Sequence, residues 1–536
     1  MTVSDYLKET ILGLGKQFKW SYLPPLMVYV AAGISGLTGI VGTFFIKEYL
    51  DLSAAFLAGL GFWAGLPWAL KMPLGHIVDL IWKHKNYMVY CGATIIASSL
   101  LIMYGLIAHT EDMANILRVE TWFVLSVILT PVGYVIQDVV ADAMTVEAVP
   151  LEDENGQKFS QETIKEMHTT MQTLGRFAII GGTVLVAFAN IILFQGVEDL
   201  AEKERVQLYA TMYLYALIIP FVSVLGVLLA IYLKKRRQTA LKEKGNFDTG
   251  SNGQEERPDI NWTILIGSLV FVIFSVTVGS FNIPFAQELV FFGSVAIILF
   301  LMSKLIYELP ENQRLMIVGT AIIIFVFRAI PSPGPGLSWF EIDKLGFNEQ
   351  FFSILSLLSS VLTLCGIILL RPFISRNSIA KVIVVLSVAG TILFLPSIGM
   401  YYGFHNWTAS ITTGIVDAKF IAIINTAVES PLGQVAMIPL LAWIAKNAPS
   451  NMKATFFAVF ASFTNLALSA SALLTKYLNE IFVVTREIKN KVTSEIVSTA
   501  DYSELGLLLI TVAIITLALP IGAVFFIQRS SFQTTD

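Results

Sequence analysis

The sequence predicts an all-α membrane protein that crosses the bilayer about fourteen times. Hydrophobic residues make up 55% of the 536 residues, whereas charged residues make up only 14%. Because soluble chains carry about 25% charged residues, a soluble enzyme is excluded. Apolar runs of spanning length recur along the whole chain, bounded by charged or Gly/Pro-rich turns. The lipid bilayer is therefore the main solvent of this chain.

The predicted spans fall into two groups on either side of a polar stretch. Six lie before it, at about residues 24–46, 53–70, 86–108, 120–147, 167–194 and 208–233. Eight follow it, at about 262–281, 286–304, 314–331, 349–370, 378–402, 415–444, 453–476 and 503–528. The stretch itself starts at Lys234 and has the charged, Gly- and Ser-containing composition of a flexible linker.

This division predicts five parts of the chain. An amphipathic cytoplasmic segment at 1–20 precedes an N-terminal six-helix bundle at 21–233 and a basic cytoplasmic linker at 234–260. An inserted transmembrane hairpin at 261–304 then precedes a C-terminal six-helix bundle at 305–536. Two similar bundles joined by a linker are the outline of a secondary transporter that rocks about a site at the bilayer midplane.

The Lys and Arg residues set the expected orientation, since short cytoplasmic loops hold an excess of positive charge. With both termini in the cytoplasm, the basic residues around Lys71, Lys234 and Arg529 all face the cytoplasm. We expect a plasma or inner membrane. Residues 477–502 would be external although they contain Arg486, and we expect a surface amphipathic helix there.

Several other functions lack support in the sequence. A formal net charge of −4 gives no sign of a nucleic-acid partner. A Gly-x-x-x-x-Gly-Lys-Ser/Thr loop is missing, which argues against ATP-driven pumping, and so is a His-Glu-x-x-His pattern. No Cys/His cluster has the spacing of metal ligands. We therefore expect neither an enzyme nor a bound metal or cofactor.

The short segment from Lys71 to Asp79 joins the second and third predicted helices. Gly75 permits a tight turn, and Asp79 at the start of the next helix meets a helix N-terminus or a basic partner. The segment is either a gating loop that latches one conformational state, with Lys71, Gly75 and Asp79 as its key residues, or an ordinary loop.

Three acidic residues lie near the cytoplasmic end of the fourth predicted helix. Asp138 and Asp142 are four residues apart and share one helix face, and Glu147 follows a turn later. Carboxylates at membrane depth are costly unless they are paired, protonated or in contact with water. Asp138 and Asp142 are therefore candidates for proton coupling, with a structural ion pair as the alternative, and the structural alternative is stronger for Glu147.

Two arginines and one helix break are the other candidate features. Arg176 and Arg328 lie within apolar runs, where an arginine must face the bundle interior or a carboxylate. Each is a candidate clamp for a substrate carboxylate, or else an ion-pair partner of Asp138 or Asp142. Pro431 interrupts the run at 415–444, and the polar groups beside that break, Glu429 and Gln434, either line a substrate site or serve packing.

Three stretches together resemble the folate-biopterin transporter family, a branch of the major facilitator superfamily. They are Asp138 to Glu147, Ala329 to Gly334 with Leu345 to Phe347, and Leu432 to Pro439 with Lys453 to Ala458. Their order and helix positions fit the family over most of the chain, and the segment from Lys71 to Asp79 resembles the cytoplasmic loop of that superfamily.

The resemblance implies a proton-linked carrier for folates, pterins or a related organic solute that works by alternating access. A pterin presents an amino group and a ring N–H side by side, which one carboxylate, from Asp142 or Glu429, accepts together. The glutamyl carboxylates of a folate favour Arg176 or Arg328. Aromatic side chains available for stacking on the ring are Phe177, Trp339 and Phe340.

A second interpretation comes from another class of protein. A carrier-like protein that has lost transport and serves as a membrane assembly or docking factor would use the extra hairpin and residues 477–502 as docking surfaces. The internal acids favour the carrier, because a scaffold has no need of costly charges at membrane depth.

Overall fold

The computed structural model describes residues 18–69, 71–150, 159–243, 262–280, 283–307, 309–430, 453–489 and 496–533. Nearly all of the predicted amphipathic segment at 1–20 lies outside these residues. Gln434 and the predicted helix break at Pro431 lie outside them as well, and so does most of the linker at 234–260.

The first part of the described chain is almost entirely helical. Short 3-10 turns at Trp20–Tyr22, Ile34–Thr38, Trp82–His84 and Val197–Asp199 flank or connect its α-helices. The α-helices are α1 (Leu23–Gly33), α2 (Gly39–Tyr49), α3 (Ala54–Ala69), α4 (Lys71–Leu80), α5 (Asn86–Ala108), α6 (Thr110–Ala114), α7 (Val119–Ala148), α8 (Gln161–Leu193), α9 (Glu202–Tyr215) and α10 (Ile218–Glu243).

The second part adds ten helices and one short pair of antiparallel strands to the described fold. The strands are β1 (Ile488–Lys489) and β2 (Ile496–Ser498). The helices are α11 (Trp262–Ser280), α12 (Ala286–Tyr307), α13 (Glu311–Arg328), α14 (Pro335–Leu345), α15 (Glu349–Arg376), α16 (Ile379–Tyr401), α17 (Phe404–Ile411), α18 (Ala418–Glu429), α19 (Lys453–Ile481) and α20 (Leu505–Gln528).

The helices have the length and composition of membrane spans, which confirms a multi-pass membrane protein. Nine helical stretches of the described chain are long and apolar enough to cross a bilayer. Polar residues mark several helix starts: Ser160, Asn348, Ser378 and Asp417 each accept a hydrogen bond from the backbone N–H three residues later. Local sequence therefore sets where these helices begin, and apolar composition sets how far they run.

Glycines allow two pairs of helices to cross at backbone contact. A Cβ at Gly33 would come within 2.1 Å of a carbonyl oxygen of α8, and one at Gly182 would lie 2.8 Å from the Gly33 Cα. Gly92 on α5 and Gly133 on α7 face each other in the same way. A Cβ at Gly92 would lie 2.7 Å from the Gly133 carbonyl oxygen, and a Cβ at Gly133 would lie 2.8 Å from the Gly92 carbonyl oxygen. Small residues at crossings are typical of helices that pack in lipid.

We name the two ends of the bundle by one residue each. Helix α3 runs from Ala54, which follows the carbonyl groups bound by Arg486, to Ala69, which precedes Lys71. Its 16 residues span about 24 Å, close to the hydrocarbon thickness of a bilayer. The Lys71 end and the Arg486 end are therefore opposite ends of the bundle.

Arg486 joins the two parts of the chain at the Arg486 end. Its side chain is buried, and it donates from Nε to the Lys47 carbonyl at 2.8 Å, from Nη1 to the Leu52 carbonyl at 2.7 Å, and from Nη2 to the Leu50 carbonyl. The guanidinium carbon lies 4.3 Å from the centre of the Trp339 ring. Burial lowers the pKa of Arg486 to about 10, so the group stays charged at neutral pH.

Further contacts close the same end. Lys47 Nζ lies 2.5 Å from Asp343 Oδ1, and the Tyr502 hydroxyl donates to Asp343 Oδ2 at 2.5 Å. The Tyr209 hydroxyl donates to Glu349, and these two side chains also lie on different parts of the chain. Ion pairs and hydrogen bonds between residues 18–243 and 309–533 therefore hold the Arg486 end together.

The prediction of an amphipathic surface helix at 477–502 is wrong. Helix α19 continues to Ile481, and the described residues after it, 482–489 and 496–502, contain the strands β1 and β2 and no further helix. The basic character of this segment suggested an exposed surface, but Arg486 is buried because backbone carbonyl groups at the end of α2 accept its hydrogen bonds.

Substitution Arg486→Gln is expected to lower the thermal unfolding midpoint of the protein in detergent or nanodiscs. The change leaves buried carbonyl groups without donors, which costs roughly 3 kcal/mol or more. Arg118→Gln is the matched control at the same end, because Arg118 is 84% exposed and its Glu120 contact is 3.4 Å long. Equal midpoints for the two variants would contradict the structural role of Arg486.

Candidate functional site

Two carboxylates on α7 form the centre of the candidate site. Asp138 and Asp142 are one turn apart and lie on one face of the helix. Lys71, the first residue of α4, reaches between them: its Nζ lies 2.5 Å from Asp138 Oδ2 and 2.7 Å from Asp142 Oδ2. The Tyr29 hydroxyl on α1 donates a 2.6 Å hydrogen bond to Asp142 Oδ1. We call these four residues the Lys71 cluster.

The packing of α1 against α8 holds Tyr29 in the cluster. Tyr29 is buried, and a Cβ at Gly175 would lie only 2.8 Å from the Tyr29 ring atom Cε2. Any larger residue at 175 would displace the ring, so the glycine sets the position of the hydroxyl that meets Asp142.

The charges of the Lys71 cluster do not balance. One ammonium group faces two carboxylates, which leaves a formal charge of −1. The Asp138 side chain is 16% exposed, whereas the Asp142 side chain is 44% exposed. A carboxylate at membrane depth that lacks a full counter-charge is stabilised by a proton, a cation or water. Asp142 is the member of the cluster that is most open to such a partner.

Glu147 has a different environment from the two aspartates. Its carboxylate lies 2.7 Å from Lys85 and 3.1 Å from Lys234, so it has two basic partners. Lys85 is buried and stacks on the Trp82 ring at 4.1 Å. The structural alternative that the sequence offered for Glu147 agrees with this geometry.

Arg176 lies beside the Lys71 cluster without joining it. Its place within an apolar run suggested a buried side chain, and this is wrong: Arg176 is exposed, while Lys47, Lys85 and Arg486 are buried. Arg176 interacts electrostatically with Asp138, but among the described residues it has no ion-pair partner within 4.0 Å. Lys71 takes the place that the sequence assigned to an arginine.

The segment from Lys71 to Asp79 is not a loop with a glycine turn. It forms α4, in which Gly75 has helical backbone and nothing near its missing Cβ. The turn that glycine was expected to permit is therefore absent from these residues, and Asp79 lies near the end of a helix rather than at the start of one. Lys71 keeps a direct role because it begins α4 and binds both aspartates.

Arg328 ends α13 at a break in the helical backbone. The chain leaves the helix after Arg328 and resumes it at Pro335, with Gly334 at a φ of 76°. Arg328 is partly buried, and its Nε has no hydrogen-bond partner in the part of the chain that the structure describes. The guanidinium group is thus available to an anionic ligand.

Polar residues of α19 satisfy the broken backbone. The Ser471 hydroxyl donates to the Ile330 carbonyl at 2.6 Å, the Thr475 hydroxyl accepts from the Ser332 N–H at 2.9 Å, and the Asn479 amide donates to the Pro333 carbonyl at 3.2 Å. The three α19 residues are spaced by four and share a face. Non-helical backbone at membrane depth needs such internal partners.

The remaining candidates are spread over the chain. Glu429 ends α18 in an exposed position, with Asn425 Nδ2 3.5 Å from its Oε2. Trp339 and Phe340 are buried in an apolar cluster and are unavailable for stacking on a ligand, whereas Phe177 is partly exposed. The structure thus brings together Asp138, Asp142 and Lys71, but no ion pair in the described chain links Arg328 or Glu429 to them.

Sequence reasoning missed two residues of interest. Tyr29 lies in an apolar run, where nothing in the pattern distinguishes it from a packing residue. Glu341 on α14 lies outside the candidate spans, and burial raises the pKa of its carboxyl to about 7. The available signal for Glu341 was an acidic residue directly after the aromatic pair Trp339 and Phe340.

Two known transporters resemble the chain, one over most of its length and one over a shorter part. A folate-biopterin transporter of Synechocystis sp. is 22% identical over 481 residues, which cover 88% of this chain and 78% of that protein. Folate transporter 2 of Plasmodium falciparum is 23% identical over 145 residues, which cover 27% of this chain and 30% of that one.

Solved transporter structures share the fold. A POT family transporter in complex with 5-aminolevulinic acid matches with a TM-score of 0.60 and 13% identity, covering 98% of this chain and 97% of the other. The nucleoside transporter NupG matches with a TM-score of 0.51 and 14% identity, covering 94% of this chain and 98% of the other. At these identities the likeness concerns the fold alone.

The sequence of the chain also matches a protein family. Residues 32–534 match the BT1 family, so the match includes every helix from α2 to α20 and both aspartates of the Lys71 cluster. This agrees with the resemblance found in the motifs around Asp138 and Gly334. The chain belongs to the BT1 family.

Proposed function

We propose that this multi-pass membrane protein is a secondary active carrier that moves a folate, a pterin or a related organic solute by alternating access, coupled to protons. The Lys71 cluster carries this proposal. A net negative cluster of two aspartates and one lysine suits reversible binding of a proton, because one carboxylate always lacks a full counter-charge.

The coupling chemistry follows from the geometry of the cluster. When Asp142 takes up a proton, Lys71 keeps a complete ion pair with Asp138, and the cluster becomes neutral. When the proton leaves, Lys71 is again shared between two carboxylates. Proton binding therefore changes the electrostatic attraction between α4 and α7. Helix α4 directly follows α3, and α3 packs against α19. A local charge change can thus act on the contact between the two parts of the chain.

The substrate class rests on the relatives. The Synechocystis relative is named a folate-biopterin transporter and the Plasmodium falciparum relative a folate transporter. Glu429, whose only described contact is a 3.5 Å approach to Asn425, is freer than Asp142 to accept the paired N–H donors of a pterin. Both oxygens of Asp142 already have partners. Gln434 remains a candidate for the same site, and Arg328 with its free Nε suits a glutamyl carboxylate.

We further propose the domain division 21–233, 234–260, 261–304 and 305–536, in which α11 and α12 form the inserted hairpin of a fourteen-span carrier. Contacts of α11 with α12, and of α12 with α19, support a hairpin that packs on the outside of the bundle. The basic residues at the Lys71 end support a cytoplasmic location for that end. They include Lys71, Lys85, Lys234, Lys304, Arg314 and Arg529.

Closure of the Arg486 end supports alternating access. Lys47, Arg486 and Asp343 connect the two parts of the chain at that end in this conformation. A carrier that exposes its site to each side in turn must break these contacts once per cycle. Val484 and Arg486 are buried, so these two residues of the segment 477–502 are not accessible to a docking partner.

Uptake in proteoliposomes tests the proposed activity. With an inward proton gradient, purified protein should accumulate labelled folate or biopterin, and unlabelled pterins should compete while an unrelated sugar should not. Dissipating the gradient with a protonophore should remove the accumulation. An absence of transport for every pterin, folate and other organic solute tried would contradict the proposal.

Substitution Asp142→Asn should abolish gradient-driven accumulation while leaving counterflow exchange, since the amide cannot bind and release a proton but still accepts from Tyr29. The exposed Asp112 on α6 supplies the control Asp112→Asn, which should change neither assay. Loss of folding or expression with Asp142→Asn would instead show that the charge is structural.

Arg328→Gln should weaken competition by glutamylated folates by about tenfold or more and leave competition by simple pterins unchanged, because only the former present a carboxylate. Arg176→Gln, tested in parallel, distinguishes the two candidate clamps. Equal losses for both ligand classes in the Arg328 variant would argue against a contact with the glutamyl tail.

A further inference from the structure

A long apolar groove lies between the bundle and the helices α11 and α12. Its volume is about 1780 Å³, and its walls are formed by α3 and α7 on one side and by α11, α12 and the end of α19 on the other. Most of the surface is contributed by apolar side chains such as Phe56, Trp63, Ile128, Val132 and Val272. The groove is separate from the Lys71 cluster, whose four residues do not line it.

Among the described residues that line the groove, charged groups occur at one end. Glu288, Lys476 and Glu480 lie at the Arg486 end, whereas Leu74 and Ile77 line the opposite end. Lys476 Nζ lies 3.9 Å from Glu288 Oε1 and 3.7 Å from Glu480 Oε1, so both ion pairs are long. An amphipathic occupant with a polar head at the Arg486 end would match this distribution of charge.

The dimensions suit an acyl chain. The groove follows α3 from Ala55 to Pro67, a length of about 20 Å at 1.5 Å per residue, which exceeds the roughly 15 Å depth of one bilayer leaflet. An apolar groove of this size excludes ordered water, because water needs polar partners. In a bilayer the surrounding solvent consists of acyl chains, which contact such walls without a desolvation cost.

The polar end favours a head group that has both a phosphate and N–H donors. Lys476 is available to a phosphate oxygen because neither of its carboxylate partners is closer than 3.7 Å. Glu480 has a 46% exposed side chain and can accept from an ammonium group. Gln287 donates to the Gly59 carbonyl at 2.9 Å, but its Oε1 is buried and unpaired among the described residues, which leaves another acceptor.

We propose that this groove binds a phospholipid with an ethanolamine head group from the leaflet at the Arg486 end. The phosphate lies on Lys476, the ammonium group lies between Glu480 and Gln287, and one acyl chain fills the groove beside α3 and α7. A choline head group lacks the N–H donors for these acceptors, and a glycerol head group lacks the cation. The two carboxylates disfavour an anionic lipid.

The site links elements that are far apart in the sequence. Helices α3 and α7 belong to the first part of the chain, α19 to the last, and α11 with α12 to the segment between them. A bound lipid therefore fills space between α11 and the bundle, where the chain itself supplies contacts chiefly through α12 and α19. The inference stands apart from the proposed transport activity.

Native mass spectrometry of the full-length protein tests the proposal. Protein purified in detergent is incubated with phosphatidylethanolamine, phosphatidylcholine or phosphatidylglycerol, and retained lipid is counted after activation. We expect preferential retention of one phosphatidylethanolamine. Lys476→Gln and Glu480→Gln should each weaken this retention by about tenfold, whereas Lys203→Gln, an exposed lysine at the same end, should not change it.

A groove-filling variant examines the acyl-chain part of the site. Val132→Trp should abolish retention, while Leu185→Trp, placed on a surface position that is 61% exposed, should leave it intact. If Val132→Trp does not fold, the two polar variants still decide. Retention that is equal for the three lipids and unaffected by the polar variants would overturn the proposal, as would preferential retention of phosphatidylglycerol. Release of the lipid by folate or pterin would also overturn it, because the groove would then be a solute site.

Discussion

The attraction of Lys71 to two carboxylates is the interaction on which the N-terminal part of this structure depends. Charges inside a bilayer need partners, and Lys71 provides one for Asp138 and Asp142 at once. The cost of burying these groups is offset by the short contacts and by the Tyr29 hydrogen bond. Helices α1, α4 and α7 are thereby positioned relative to one another by charge as well as by packing. The remaining negative charge is what makes the cluster suited to a function beyond stability.

Buried charged groups at the Arg486 end also have partners, but of a different kind. Arg486 binds neutral carbonyl groups at the end of α2, where the helix leaves acceptors without internal donors. Lys47 and Asp343 neutralise each other, and Tyr502 adds a donor to the carboxylate. Each of these groups has a hydrogen-bond or ion-pair partner in the described chain. The contacts at the Arg486 end thus join the two parts of the chain, whereas the Lys71 cluster joins helices of the first part.

The break between α13 and α14 lies between Arg328 and Pro335. Side chains of α19 replace the helical hydrogen bonds that the chain loses between Arg328 and Pro335, and α14 carries Trp339 and Asp343 to the Arg486 end. Because α19 also packs along α3, a rearrangement at the break moves groups on both parts of the chain. Arg328, whose Nε has no hydrogen-bond partner in the described chain, ends α13 at this break.

Composition and hydrophobic runs alone determined the membrane class and the approximate helix positions, because spanning helices require about 20 apolar residues wherever they occur. The family resemblance came from short motifs such as the one from Asp138 to Glu147. The spacing of Asp138 and Asp142 also placed both carboxylates on one face. The partner of these aspartates was decided only by tertiary structure: Lys71 is 67 residues away from Asp138, and Arg176 was an equally reasonable candidate by sequence. The same is true of Arg486, whose charge suggested an exposed surface, whereas carbonyl groups more than 430 residues away along the chain hold it inside. Local pattern fixes what a residue can bind, but long-range packing decides which partner it meets.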